Sequence, residues 1–324
     1  MKKSLSIIGA GAWGSALAIA LSDKFDQIFL ITKDKVNTKR LGNQHEALSV
    51  PFNTNISISC SFEVIEGSEA VLIATPSSAF NSVLKSLSPH VKTMPIAWVT
   101  KVFAPDNGKL LHESFSQKFP DHHPCVISGP TFAAEIAEKK PAAIVVASKD
   151  KTTRDFWAET IQTRNLRAYT NSDIVGVQVG GSVKNILAIA AGIANGLGFG
   201  ANTQAALITR GLAEMTRFGV ALGADKATFQ GLSGMGDLVL TCSDDLSRNR
   251  RFGKELANNI STDKALKNIN ATVEGFKALK LVIMIANNHQ IEMPICEQVL
   301  AVTEGRTTPR DAVNELLLRK PRKE

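Results

Sequence analysis

Short apolar runs alternate with stretches of helical periodicity over the first half of the chain. The apolar runs lie at residues 5–8, 28–31, 70–74, 96–100, 125–128 and 142–147, and most are followed by glycine, proline or serine. Buried strands separated by helices are typical of a doubly wound parallel sheet. The pattern predicts an α/β domain over residues 1–180.

Helical periodicity dominates from residue 181 onward. The clearest helical segments are residues 182–194, 203–222, 273–287 and 309–318. In the second of these, Leu207, Leu212 and Met215 recur near the 3.6-residue period, and Asn202 or Thr203 is expected to cap its first amides. We predict a mostly α-helical second domain over residues 181–324, in which most of these residues pack a core.

Composition and charge narrow the class of protein. The 324 residues are 44% hydrophobic and 21% charged, which excludes a disordered or collagen-like chain. The net charge of +7 favours anionic partners and leaves nucleic acid, lipid head groups and phosphorylated metabolites open.

Neither a metal site nor a membrane segment is expected. The four cysteines and six histidines show no metal-ligand spacing, and the separated cysteines indicate reduced thiols in a cytoplasmic protein. Glycines interrupt the apolar N-terminal stretch, which argues against a signal peptide, and no window supplies the roughly 18 apolar residues of a membrane span.

A glycine-rich turn follows the first predicted strand. Its sequence is GAGAWG, in which Gly9, Gly11 and Gly14 match the fingerprint of dinucleotide-binding sites. The first glycine makes the tight turn, the second leaves room for a pyrophosphate, and the third lets the helix pack on the strand. The helix N-terminus favours the negative charge of that pyrophosphate. The placement predicts a Rossmann-type cofactor site rather than a merely structural turn.

The end of the second strand bears on which nicotinamide cofactor binds. Lys33 stands at this strand end, where an NAD-specific site would offer an acidic residue to the ribose hydroxyl. A lysine there suits a 2′-phosphate, so NADP(H) is expected to be accepted, while Asp34 keeps NAD(H) open. The alternative is a solvated lysine cluster.

Three loops are expected at the carboxyl edge of the sheet, where ligands of open parallel sheets bind. They contain the segment 75–78, Lys101, and the segment of Gly129 and Thr131. Lys101 is placed to hydrogen-bond a substrate oxygen; otherwise it extends into solvent from the sheet edge.

Lys184 lies in the sequence GGSVKN, which opens an apolar helical segment. A buried lysine needs a carboxylate partner, and desolvation lowers a lysine pKa toward the operating pH of an acid or base catalyst. Asp237, in a glycine-rich turn, is the candidate partner. The alternative is a cation at a helix end whose aliphatic stem is packed.

The sequence LSRNRRFG at residues 246–253 offers a phosphate site. Ser247 is expected to cap a helix whose first turn presents Arg248 and Asn249, since such an end binds phosphate through amides and guanidinium. An arginine cluster is otherwise a solvated face. A nucleic-acid site is not expected, because no aromatic residue interleaves the cluster and no DNA-binding motif accompanies it.

Together these segments resemble the bacterial NAD(P)-dependent glycerol-3-phosphate dehydrogenases. The resemblance runs from about residue 4 to 318 and is carried, in order, by the following segments: GAGAWG (9–14), GPTFA (129–133), GGSVKN (180–185), AALITRGLAEM (205–215), GDLVLT (236–241), SRNRRFG (247–253) and VEG (273–275).

The resemblance implies reduction of dihydroxyacetone phosphate by NAD(P)H to sn-glycerol 3-phosphate, which supplies phospholipid synthesis, by a typically homodimeric enzyme. It implies that Lys184 is the general acid/base, that Asp237 orients it and that Lys101 assists it. Implied substrate contacts are Lys101, Gly129, Thr131, Asn185, Asp237, Ser247, Arg248 and Asn249. Implied cofactor contacts are Gly9, Gly11, Ala12, Trp13, Gly14, Lys33, Lys101, Ala133, Arg248, Thr272 and Glu274.

Two other functions compete with this interpretation. A β-hydroxyacid or 6-phosphogluconate-type dehydrogenase also joins a nucleotide domain to a helical one and would act on carboxylated substrates. A dinucleotide-binding redox sensor would hold nucleic acid on its basic surface without turnover.

Overall fold

The first half of the chain folds around one eight-stranded sheet. The computed structural model describes residues 3–101, 103–104 and 108–319, and the chain divides into two compact units, residues 1–178 and 179–324. The sheet order is β3-β2-β1-β4-β5-β6-β7-β8. The strands are β1 (Ser4–Ile8), β2 (Gln27–Ile31), β3 (Ile56–Ser59), β4 (Ala70–Ile73), β5 (Ile96–Trp98), β6 (Val126–Ser128), β7 (Ala142–Ala147) and β8 (Leu166–Asn171).

Strands β1 to β6 run parallel. Their carboxyl ends therefore meet at one edge of the sheet, which confirms the expected doubly wound fold. All five residues of β1 and all four of β4 are buried, because the sheet is covered on both faces. This burial explains why β4, with the sequence AVLI, is a continuous apolar run, and why β1 has only small serines among its apolar residues.

Strand β7 is the exception to the parallel order, since it pairs antiparallel with β6 and parallel with β8. Periodicity identified β7 as a strand but carries no information about its direction. Strands β3 and β8 were not predicted at all. Both lie at sheet edges, and their sequences, ISIS and LRAYTN, mix small polar residues with apolar ones, so they lack a sustained apolar run.

Among the described residues of this unit, six α-helices accompany the sheet, and α1 is the most deeply buried. Eight of its ten residues are buried, among them Leu17 and Ile19. They join Leu5, Ile28 and Trp157 in the core. The helices are α1 (Ala12–Leu21), α2 (Lys35–Leu41), α3 (Ser77–Leu87), α4 (Leu111–Lys118), α5 (Ala133–Ala137) and α6 (Lys151–Ile161).

The second unit is helical in the residues described, as predicted. A 3₁₀ turn (Lys226–Gln230) and a π-helical turn (Leu232–Gly236) separate its second and third helices. The helices are α7 (Ile174–Gly196), whose first turn belongs to the first unit, α8 (Ala201–Ala221), α9 (Asp237–Ser243), α10 (Arg248–Leu256), α11 (Thr262–Ile269), α12 (Glu274–Asn288), α13 (Pro294–Thr303) and α14 (Pro309–Leu317).

Helix α7 begins eight residues earlier than predicted. The glycines of the GGSVKN sequence suggested a boundary, but they lie within the helix. A Cβ on Gly180 would come within 2.3 Å of the carbonyl oxygen of Ser233, so glycine is required there by close packing rather than by a turn. Helix α7 is long and apolar enough to cross a bilayer, yet 94% of its most apolar window is buried inside the protein, as in a core helix.

Helices α7 and α10 cross at very short range. A Cβ on Gly192 would lie 2.0 Å from the carbonyl oxygen of Arg250, and one on Gly253 would lie 2.0 Å from that of Ile189. One turn further along, a Cβ on Gly196 would lie 2.5 Å from the Cβ of Ala257. Glycine at these positions fixes α10, and hence its first residues, against α7.

Two predicted helix caps have different outcomes. Helix α8 begins after Gly200 with no side-chain cap, so the expectation for Asn202 or Thr203 is wrong. Ser247 does cap α10, since its hydroxyl accepts a hydrogen bond from the amide of Arg250.

Glu214, on α8, holds the start of α13. Its carboxylate accepts hydrogen bonds from the amides of Ile295 and Cys296, at 2.8 and 3.4 Å, which the first turn of a helix leaves without partners. It also lines a cavity of about 350 Å³ between α7, α8, α13 and α14. Burial raises the pKa of Glu214 from 4.5 to about 7, although the two amides lower it.

We expect Glu214→Gln to flatten the pH dependence of stability. In the wild type the folded state holds the Glu214 proton more tightly than the unfolded state, so stability falls as pH rises from 4.5 to about 7. The loss from this group is about 3 kcal/mol. Urea unfolding between about pH 5 and pH 8 measures it. Exposed Glu315→Gln is the control, and wild-type and Glu214→Gln curves that run parallel would contradict the prediction.

Candidate active site

The glycine-rich turn after β1 has the geometry of a dinucleotide-binding turn. Gly9 has a φ of +114°, which side-chain-bearing residues rarely adopt. A Cβ on Gly9 would also lie 2.6 Å from the carbonyl oxygen of Ala74, and one on Gly14 would lie 1.9 Å from that of Gly9. The turn and the start of α1 are therefore pressed together too closely for any other residue at these two positions.

Gly11, in contrast, faces open space. An added Cβ there would meet no atom within 4 Å. Gly11 is the N-cap of α1, and no side chain of the described residues caps this helix. The first amides of α1, which begin at Ala12 and Trp13, are thus available to an anion, as a pyrophosphate requires. The residues present fit a dinucleotide at this turn.

Lys33 follows β2 at the same sheet edge and is exposed. Its neighbour Asp34 is committed elsewhere, because its carboxylate accepts a hydrogen bond of 2.9 Å from the amide of Asn37 and caps α2. The acidic side chain at this strand end is therefore used to cap α2, whereas the Lys33 side chain is exposed.

The remaining predicted residues of the first unit lie beyond neighbouring parallel strands. Strand β5 ends at Trp98, two residues earlier than predicted, so half-buried Lys101 stands three residues beyond it. Gly129 follows β6 directly, and the hydroxyl of Thr131 donates to its carbonyl oxygen at 3.2 Å. Ala133 opens α5. The structure thus brings the loops after β1, β2, β5 and β6 to one edge of the sheet.

A buried ion pair forms the centre of the site in the second unit. The Lys184 Nζ donates to Asp237 Oδ1 at 2.5 Å, and the two side chains are only 7% and 1% exposed. It also donates to the hydroxyl of Thr241 at 2.8 Å, and that hydroxyl donates to the backbone carbonyl of Asp237 at 2.6 Å. The ammonium is thereby fixed in position by two side chains of α9.

The fold places this pair differently from the expectation of a helix opening. Lys184 is the eleventh residue of α7, deep in the helix, whereas Asp237 is the first residue of α9 after the π-helical turn. Thr241 was not singled out from the sequence. The sequence did carry a signal for Thr241, because it lies four residues after Asp237, and residues four apart on a helix share a face.

A second polar cluster lies beside the ion pair on the same helix. Buried Asn185 donates to Glu274, the first residue of α12, and accepts from Asn249, the second residue of α10. Asn249 in turn accepts a hydrogen bond from the amide of Gly275. The structure therefore brings together three predicted site residues from three helices.

Two other predicted residues lie at the ends of these helices. Arg248, the first residue of α10, is exposed next to the Ser247 cap, where a phosphate would meet both guanidinium and helix amides. Thr272 is half-buried, two residues before α12.

Burial disfavours the thiolate at Cys125, Cys242 and Cys296, whose pKa values are all raised. Burial raises the pKa of Cys242, the cysteine nearest the ion pair in sequence, to about 12, although the Lys184 charge lowers it. All four cysteines are free. Within residues 3–101, 103–104 and 108–319, no group of three His, Cys, Asp or Glu side chains could hold a metal ion.

Comparison with known proteins places both halves of the chain in one family. Residues 4–154 match the family model described as NAD-dependent glycerol-3-phosphate dehydrogenase N-terminus. Residues 173–314 match the one described as the C-terminus of the same enzyme.

Whole-length relatives agree. The chain is 59% identical over 320 residues to the glycerol-3-phosphate dehydrogenase (NAD(P)+) of Ruthia magnifica, covering 98% of each chain. It is 56% identical to that of Vesicomyosocius okutanii, with the same coverage. The crystal structure of glycerol-3-phosphate dehydrogenase from Coxiella burnetii superposes with a TM-score of 0.94 at 38% identity, over 98% of this chain and 99% of that one. The chain therefore belongs to the NAD-dependent glycerol-3-phosphate dehydrogenase family.

Proposed function

We propose that this chain reduces dihydroxyacetone phosphate to sn-glycerol 3-phosphate with NAD(P)H and catalyses the reverse oxidation. The observation that carries the proposal is the buried ammonium of Lys184, held by Asp237 and Thr241. The relatives, which are glycerol-3-phosphate dehydrogenases that use NAD(P)+, indicate the substrate and the cofactor class.

The proposed chemistry divides between cofactor and protein. The nicotinamide ring, when bound, supplies a hydride to the carbonyl carbon. Lys184 gives its proton to the carbonyl oxygen, so the alcohol forms without a free alkoxide, and it regains a proton from solvent afterwards. Asp237 keeps the ammonium oriented through its hydrogen bond, and Lys101 is proposed to stabilise the same developing charge.

The remaining site residues are proposed to bind and orient the substrate and the cofactor. Arg248 and Asn249, with the amides at the start of α10 and the Ser247 hydroxyl, are assigned to the substrate phosphate. Asn185, Gly129 and Thr131 are assigned to the carbon skeleton. Proposed cofactor contacts are Gly9, Gly11, Ala12, Trp13, Gly14, Lys33, Lys101, Ala133, Arg248, Thr272 and Glu274.

We further propose a cytoplasmic homodimer that supplies glycerol 3-phosphate to phospholipid synthesis, with a domain division near residue 180. The reduced thiols and the deeply buried α7 support the compartment. The oligomeric state and the metabolic role rest on the family.

The direct test follows the absorbance of reduced nicotinamide with dihydroxyacetone phosphate and each cofactor. Oxidation of NADPH or NADH with this substrate, and none with hydroxypyruvate, is expected. Turnover of the carboxylated substrate would favour the β-hydroxyacid dehydrogenase alternative. Salt-sensitive retention on DNA without turnover would favour the redox sensor.

We expect Lys33→Glu to shift cofactor preference toward NADH. The substitution removes a cation from the proposed 2′-phosphate position and adds a repelling carboxylate, which should reduce the NADPH-to-NADH ratio of kcat/KM at least about tenfold. Steady-state kinetics with both cofactors measure the ratio, with exposed Lys85→Glu on α3 as the control. An unchanged ratio would show that the 2′-phosphate is recognised elsewhere.

A further inference from the structure

A chain of side-chain amides connects α12, α10 and α7 beside the buried ion pair. The amide of Gly275 donates to Asn249 Oδ1 at 2.9 Å, and Asn249 Nδ2 donates to Asn185 Oδ1 at 2.9 Å. Asn185 Nδ2 donates to Glu274 Oε2 at 3.4 Å and to the carbonyl oxygen of Gly181 at 3.3 Å. Both asparagines are buried.

One backbone amide sets the direction of this chain. The amide of Gly275 only donates, so the oxygen of Asn249 must face it and the nitrogen must face Asn185. Asn185 must then present its oxygen to Asn249, which leaves its nitrogen for Glu274 and the carbonyl of Gly181. Every link has a donor opposite an acceptor in this arrangement alone, so the orientation of Asn185 is decided two links away.

The closely packed backbones leave little room for these hydrogen-bonded amides to change orientation. A Cβ on Gly275 would lie 2.5 Å from the carbonyl oxygen of Asn185 and 3.0 Å from Asn249 Oδ1. The start of α12 thus rests directly on α7, one residue from Lys184. The crossing of α7 and α10 at Gly192 and Gly253 fixes the third helix.

We propose that Asn249 is a positioning residue that sets the orientation of Asn185 and, through it, of the Glu274 carboxylate. The amide chain then couples the substrate-side residues on α7 and α10 to the cofactor-side residue on α12, beyond any contact of Asn249 with phosphate. This inference rests on the proposed function. Its distinctive consequence is that a defect at residue 249 is repaired by a change at residue 274, to whose side chain Asn249 is connected through the side chain of Asn185.

The test is a double-mutant cycle. In Asn249→Asp both oxygens at residue 249 accept, so Asn185 must either face an acceptor or flip its own oxygen toward Glu274 and the carbonyl of Gly181, which both accept. Adding Glu274→Gln lets residue 274 donate to the flipped Asn185. We expect Asn249→Asp to raise the KM for dihydroxyacetone phosphate and the Kd for NADPH. In the double variant both constants should be at least about tenfold lower than the product of the two single-variant effects predicts.

Asn249→Ala is the matched control. It removes the same contacts without reversing the hydrogen-bond direction, so Glu274→Gln should not rescue it. Should Asn249→Asp be too unstable to assay, the same cycle is measured in melting temperature. Additive effects in either readout, or equal rescue of the Asp and Ala variants, would overturn the inference. Absence of wild-type turnover would instead overturn the proposed function and leave the melting-temperature cycle as the test of the amide chain.

Discussion

Replacement of Lys184 by methionine is expected to lower kcat about 10²- to 10⁴-fold, the usual contribution of a general acid/base. Methionine preserves most of the side-chain volume but supplies neither the proton nor the charge for the developing alkoxide. The Kd for NADPH should change little, because Lys184 is assigned to the reacting oxygen rather than to the cofactor. Steady-state assays in both directions and NADPH fluorescence titration measure the two quantities.

Lys277→Met on α12 is the control, since this lysine is exposed. A Lys184→Met variant that retains wild-type turnover would contradict the proposed mechanism. A parallel loss of NADPH binding would show that Lys184 acts through the cofactor site instead.

The same variant is expected to be less stable by about 3–5 kcal/mol, because a buried carboxylate is left without its ion-pair partner. Asp237 is fully buried and its oxygen loses the 2.5 Å contact with the ammonium. The double variant Lys184→Met with Asp237→Asn should regain most of this free energy, since the remaining group is neutral, but its kcat should stay as low as that of Lys184→Met. Chemical denaturation gives the free energy of unfolding for each variant.

The control for this effect is Lys254→Met, which breaks an ion pair with Asp245 that is well exposed to solvent. Its cost should stay below about 1 kcal/mol. If the double variant is as unstable as Lys184→Met alone, the lost stability comes from packing of the lysine stem and not from the unpaired charge.

Sequence patterns predicted the fold where burial was uniform. Strands β1, β4 and β7 are buried over most of their length, and each produced an apolar run that identified it. The edge strand β8 exposes three of its six residues and was missed. Strand direction was also beyond prediction, because β7 has the same side chains whether its partner runs parallel or antiparallel.

The site was predicted residue by residue but not as an assembly. The pairing of Lys184 with Asp237 followed from the cost of burying an unpaired ammonium. The wrong start of α7 came from treating Gly180 as a breaker, when the approaching backbone of Ser233 requires it inside a helix. Thr241 and the hydrogen bonds of Asn249 depend on how separate helices meet, which periodicity along one chain does not encode.

The position of Lys184 in the middle of α7 limits how this enzyme can diversify. Helix α7 is enclosed by the core, so amides around this lysine become accessible to hydrogen exchange only when the unit opens as a whole. A substitution on this helix must satisfy close packing as well as chemistry. New substrate preferences should therefore arise at the first turns of α10 and α12, where Arg248 and Glu274 reach the surface, while Lys184, the proposed proton donor, stays on a closely packed helix.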